Sequence, residues 1–71
     1  MSKPKLTFIG GGNMATSLIG GLVEKGYPAT AITATDPLPE NRARLSDQFG
    51  INTTDDNAAA CGTADVIVLA V

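Results

Sequence analysis

The residues best able to do chemistry sit early, in the run Gly10-Gly11-Gly12-Asn13-Met14-Ala15. The run matches G-x-G-x-x-G/A, with Ala15 in the third place. Alone the pattern is weak, because glycines scatter through turns. Here a short strand-forming segment, Lys5-Leu6-Thr7-Phe8-Ile9, runs directly into it, and helical spacing begins inside it. In that setting each residue type has a purpose. Gly10 permits a tight turn, Gly12 leaves room for a pyrophosphate where a Cβ would collide, and Ala15 lets the helix pack closely on the strand. The N–H groups of Gly12, Asn13 and Met14 then point at phosphate from a helix N-terminus with its partial positive charge. The chemistry is the cradling of a dinucleotide; the bland alternative is a merely flexible turn.

Asp36 lies about 20 residues beyond Ala15, where the dinucleotide fingerprint places an acid that accepts hydrogen bonds from the adenosine ribose. A carboxylate there repels a 2′-phosphate, so by itself it favours NAD over NADP. Asp36-Pro37 also favours a simple turn. Arg42 and Arg44 follow closely, and a guanidinium near this pocket neutralises phosphate. Their positions nevertheless read as solvated charges on the exposed face of a helix. Cys61 follows three alanines and reads as a partly buried packing residue. A nucleophile needs a neighbouring base such as His, and the chain has none. Asp55 and Asp56 are adjacent, point in different directions, and read as helix caps.

The elements that position these residues alternate along the chain. Asn13 to Lys25 carries Met14, Leu18 and Leu22 four apart, with Ala15, Ile19 and Val23 beside them. That spacing predicts a helix with a wide buried stripe, stopped by Gly26 and Pro28. Ala31 to Thr35 reads as a second strand. Pro39 and Glu40 open a second helix that carries Leu45 and Phe49 and ends at Gly50. Ile51 to Thr53 reads as a short strand or an extended link. Thr54 to Asn57 offers caps for a short helix through Ala58, Ala59 and Ala60 to Gly62. Val66 to Val71 is a continuous apolar run, which suits a strand buried on both faces. The order predicts an α/β, Rossmann-type three-layer fold with a parallel sheet. The run ends with no turn after it, so residues 1–71 are expected to be the N-terminal part of a larger dinucleotide-binding domain.

Composition narrows the classes. The chain has 71 residues, 44% hydrophobic and 17% charged, which sets a ceiling of one domain. Five Lys+Arg against seven Asp+Glu give a net charge of −2, which argues against a basic nucleic-acid surface or a polybasic membrane anchor. One cysteine forms no internal disulfide, and without His a transition-metal site is not expected. No stretch approaches the roughly 20 apolar residues of a membrane span. The expected compartment is the cytoplasm.

Phe8-Ile9-Gly10-Gly11-Gly12-Asn13-Met14-Ala15, followed by Leu18-Ile19 and Gly21-Leu22, resembles the opening of the pyrroline-5-carboxylate reductase family. Phe49-Gly50-Ile51, Asn57 and Ala64 to Val71 fall where that family has matching segments. The Gly-Asn-Met-Ala tetrad and the Ala-Asp-Val-Ile-Val-Leu-Ala-Val ending are more specific than the glycine pattern. The resemblance implies reduction of 1-pyrroline-5-carboxylate to L-proline with NADPH or NADH. It also implies a helical C-terminal domain that makes dimers and supplies most of the substrate site. Carried over by position, Ile9, Gly10, Gly11, Gly12, Asn13 and Met14 hold the pyrophosphate, and Asp36 faces the adenosine ribose. Asn57 contacts the cofactor, and Ala70 and Val71 lie beside its nicotinamide half. Asp36 is a departure, because many relatives carry Ser or another neutral residue there, which suits a 2′-phosphate. Use of both cofactors is therefore expected. Two other readings share these residues. β-Hydroxyacid dehydrogenases have a similar turn but more often carry Leu after the first glycine and Gly at the place of Ala15. A non-catalytic NAD(P)-sensing module uses the same nucleotide fold.

Overall fold

The computed structural model describes residues 3–70. Four strands and three helices alternate: β1 Leu6–Ile9, α1 Asn13–Glu24, β2 Ile32–Thr35, α2 Pro39–Phe49, β3 Asn52–Thr54, α3 Asn57–Gly62 and β4 Val66–Leu69. A single 3-10 turn, Ala29–Ala31, leads into β2 and takes the first residue of the expected strand. Local chemistry accounts for the boundaries. At the end of α1 the Gly26 and Tyr27 N–H groups bond back to the carbonyls of Val23 and Leu22, and Gly26 takes a φ of 93°. A left-handed residue of this kind terminates a helix with little steric cost only when it lacks a Cβ. Pro39 opens α2 with its φ already helical. Asp56 caps α3, its Oδ1 accepting from the Ala59 N–H at 3.0 Å. Of the acidic pair, Asp56 takes the capping role expected of both.

All strand pairs are parallel and the order is β3-β2-β1-β4. The chain steps outward from β1 to β2 to β3, then crosses back to set β4 on the other side of β1. This is the order in which doubly wound dinucleotide-binding sheets begin, and the fold is Rossmann-type. The register pairs Leu6 with Ile32 and Phe8 with Ala34, so these four side chains share one face. There Phe8, Ile32 and Ala34 join Ala15 and Ile19 of α1 and Leu45 of α2 in the hydrophobic core. Thr7 points the other way, and its hydroxyl donates to the Ala60 carbonyl of α3 at 3.2 Å. Helices thus cover both faces, which is what a parallel sheet requires. No helix among the described residues is long and apolar enough to cross a membrane.

Two sequence expectations are corrected. The Val66–Val71 run reads as a strand buried on both faces, yet Val66, Ile67 and Leu69 are exposed, Leu69 by 71%. Hydrophobicity reports that a strand needs cover, whereas its place at the sheet edge leaves β4 without a neighbour on one side among the described strands. The stripe of α1 is also narrower than expected. Ala15 and Ile19 are fully buried, while Met14 and Leu18 on the flank of the stripe are exposed. β3 is a strand, as one of the two readings of that segment had it, displaced by one residue.

Candidate dinucleotide site

The β1–α1 turn is held in place by main-chain and side-chain bonds that can be followed residue by residue. The Gly10 N–H donates to the Thr35 carbonyl at 2.9 Å, extending the β1–β2 ladder past the strand ends. Gly10 then takes a φ of 105°, a turn conformation that L side chains rarely adopt. Gly12 is the N-cap of α1, with φ −80° and ψ −160°, and no side chain caps the helix. A Cβ built at Gly12 meets no atom of the chain within 4 Å. The space in front of this uncapped helix start is therefore open, and its first N–H groups have no intrahelical acceptor. Such a cradle fits a diphosphate: open room at Gly12, backbone donors, and the positive end of a 12-residue helix. Asn13 and Met14 are exposed at its rim, and Ala15 is fully buried against the sheet.

Gly11, the variable position of the motif, is buried and tightly enclosed. A Cβ there would lie 3.1 Å from both Cβ and Oδ2 of Asp36 and 3.2 Å from Cδ1 of Leu45. Its N–H donates to Asp36 Oδ2 at 2.9 Å, and its carbonyl accepts from Arg44 Nη2 at 2.9 Å.

Asp36 follows β2, and its own N–H donates to the Thr54 carbonyl at 3.2 Å. Its side chain is turned inward, leaving the residue 9% exposed. Oδ1 accepts from the Leu38 N–H at 2.8 Å, and Oδ2 accepts from Gly11 and, at 3.2 Å, from the Asn41 side-chain amide. Burial by itself pushes this carboxyl up. The bonds from Leu38, Gly11 and Asn41, with the nearby Arg42 charge, outweigh burial and hold it below the ordinary carboxylate value.

Sequence spacing put both arginines on α2, where they are, and Arg44 is exposed as expected, but it missed their hydrogen bonds and missed Asn41. Arg42 Nη1 donates to the Asp36 carbonyl at 2.8 Å, and Arg44 reaches back to the glycine turn. Both guanidinium groups thus bond at the carboxyl ends of β1 and β2, Arg42 from a half-buried position and Arg44 from an exposed one. Helical spacing specifies a face, but a long side chain can lean along that face to a carbonyl outside the helix, near in sequence for Arg42 and distant for Arg44. A polar residue two to five positions after a strand-ending acid was the available signal.

The remaining candidates gather at the same end of the sheet. Ile9 ends β1, and its carbonyl accepts from the Ala70 N–H at 2.9 Å, which places buried Ala70 just past β4. Asn57 is the exposed first residue of α3, beyond the end of β3. The structure therefore brings Ile9, Gly10, Gly11, Gly12, Asn13, Met14, Asp36, Asn57 and Ala70 to the carboxyl ends of the four strands. Val71 lies outside the described residues. The order in which strands are added reverses between β1 and β4, and open parallel sheets bind ligands at such a switch point. Among the described residues no cluster of three or more His, Cys, Asp or Glu is placed to hold a metal ion. An apolar groove lined by Phe8, Ser17, Leu18, Gly21, Leu22 and Lys25 runs along α1 away from the turn. It contains none of the candidate site residues.

Residues 5–71 match the family described as NADP oxidoreductase, coenzyme F420-dependent. The chain belongs to that family. Over 71 residues it is 52% identical to a pyrroline-5-carboxylate reductase of Pseudomonas aeruginosa, covering 100% of the chain and 26% of that protein. The corresponding enzyme of Vibrio alginolyticus is 51% identical over 71 residues, again with 100% of the chain and 26% of the relative covered. A solved structure of a pyrroline-5-carboxylate reductase from Coxiella burnetii superposes with a TM-score of 0.93 at 40% identity. That match covers 96% of this chain and 25% of the solved chain. The chain spans about a quarter of the length of the relatives it matches.

Proposed function

We propose that residues 1–71 form the N-terminal, NAD(P)H-binding part of a reductase that converts 1-pyrroline-5-carboxylate to L-proline. The observation that carries this reading is the uncapped, sterically open turn at Gly12, set at the switch point of a Rossmann-type sheet in a chain 52% identical to such a reductase. Gly12, Asn13 and Met14 offer backbone donors to the pyrophosphate, with Ile9, Gly10 and Gly11 shaping the turn. Asp36 lies toward the adenosine ribose, and Asn57 approaches from the β3–α3 loop. Ala70 and Val71 flank the nicotinamide half. The bound cofactor, NADPH or NADH, supplies a hydride to the imine carbon while the ring nitrogen gains a proton. The residues of this chain bind and orient; none of them is assigned a proton-transfer role. The resemblance further supports a dimer-based oligomer built through a helical C-terminal domain, working in the cytoplasm.

The test is an assay of the full-length protein that follows NAD(P)H absorbance with 1-pyrroline-5-carboxylate. Turnover with this imine is expected. Turnover with β-hydroxy acids and none with the imine would overturn the proposal.

A further inference from the structure

Gly11 is gripped at both of its polar groups by charged side chains from another part of the chain. Asp36, at the end of β2, accepts from its N–H, and Arg44, on α2, donates to its carbonyl, each at 2.9 Å. Leu45, also on α2, closes the space beside it. Hydrogen bonds in which one partner is ionised are stronger than neutral ones, and here one such bond acts at each end of a single residue. Gly11 in turn sits between the tight turn at Gly10 and the open N-cap at Gly12. The direction in which the Gly12, Asn13 and Met14 N–H groups point therefore follows from how Gly11 is held.

The Asp36 carboxylate is largely occupied by bonds within the chain, one of them to Gly11. A carboxylate has about four acceptor positions. Bonds from Gly11, Leu38 and Asn41 take three, and the residue is 9% exposed. Arg44, by contrast, commits one donor to Gly11 on an exposed side chain. We infer that Asp36 and Arg44 are positioning residues that clamp Gly11 and so fix the phosphate-binding turn, and that Asp36 serves cofactor affinity through this clamp instead of by reading the ribose. The inference rests on the proposed function, in which the turn seats the cofactor pyrophosphate. Its consequence is specific. Loss of the clamp harms NADH and NADPH alike, because both carry the same pyrophosphate. A ribose reader behaves differently, its removal weakening NADH while relieving repulsion of the 2′-phosphate.

The experiment measures NADH and NADPH affinities of the full-length enzyme as wild type, Asp36→Ser, Arg44→Met and Arg44→Lys. Asp36→Ser is expected to weaken both by roughly tenfold, with their ratio held within about threefold. Arg44→Met, a change on an exposed side chain that leaves the core intact, is expected to weaken both in parallel, and Arg44→Lys to restore part of the loss through its remaining donor. An Asp36→Ser enzyme that binds NADPH as tightly as wild type, or more tightly, while losing NADH overturns the clamp. So does an Arg44→Met enzyme with unchanged affinities. Hydrogen exchange at the Gly11 amide, read without cofactor, separates the clamp from the function it rests on. Slow exchange in wild type that quickens in Asp36→Ser supports the clamp, and equally fast exchange in both overturns it. A wild-type enzyme that binds neither dinucleotide would instead overturn the proposed function.

Discussion

At the scale of single residues, Asp36 shows how burial and hydrogen bonding compete over one carboxyl group. Burial disfavours its charge, yet the donors from Leu38, Gly11 and Asn41 and the Arg42 charge more than compensate. Because its value in the folded protein lies below that in the unfolded chain, the ionised group stabilises the fold fully above about pH 4, the unfolded value. That contribution disappears as pH falls through the lower folded value. The stability difference between the full-length wild type and Asp36→Asn should therefore be largest near neutrality and narrow below about pH 4. Denaturant titrations at several pH values measure it, and a difference that stays constant down to pH 3 would contradict the assignment. Gly10 and Gly12 were legible from type and spacing, because a positive φ and an open N-cap are demands that only small residues meet. The contact of Asp36 with Gly11 was not legible. A motif reports which residues meet a ligand but not which of them also meet each other.

At the scale of elements, the packing of α1 on β1 and β2 sets the position of the helix start and hence of the cradle. Ile19 is fully buried at the centre of that contact, beside Phe8, Ile32 and Leu45. Ile19→Ala should cost the full-length protein about 2–5 kcal/mol, the usual range for emptying a well-packed core position. Thermal or denaturant unfolding reads this, and a loss below about 1 kcal/mol would mean that the site relaxes around the gap. Alternation of strand and helix, the breaks at Gly26 and Gly50, and the cap at Asp56 were readable because each is a local backbone requirement. What local signals omit is lateral order. The run from Val66 to Leu69 is apolar enough for the middle of a sheet, yet β4 pairs with β1 alone among the described strands. The bonds of Arg42 and Arg44 were missed for a related reason, since their carbonyl partners, Asp36 and Gly11, lie outside α2.

At the scale of the whole molecule, the sheet of the described residues carries the candidate site at one end and, among those residues, an uncovered apolar edge along one side. Val66, Ile67 and Leu69 on β4 join Met14 and Leu18 of α1 as exposed large hydrophobics. An exposed strand edge of this composition is a template for pairing with other chains. The isolated 71-residue chain should therefore self-associate and unfold with little cooperativity; a soluble monomer with a sharp transition, seen by size-exclusion chromatography and thermal unfolding, would contradict this. The proposed presentation of a dinucleotide to an imine is a property of the full-length protein, and its product balance is the decisive measurement. L-Proline formed and NAD(P)H consumed should be measured together in one reaction supplied with 1-pyrroline-5-carboxylate. One proline is expected for each reduced cofactor oxidised, whereas cofactor oxidation with no proline formed, or no oxidation at all, would contradict the proposed function.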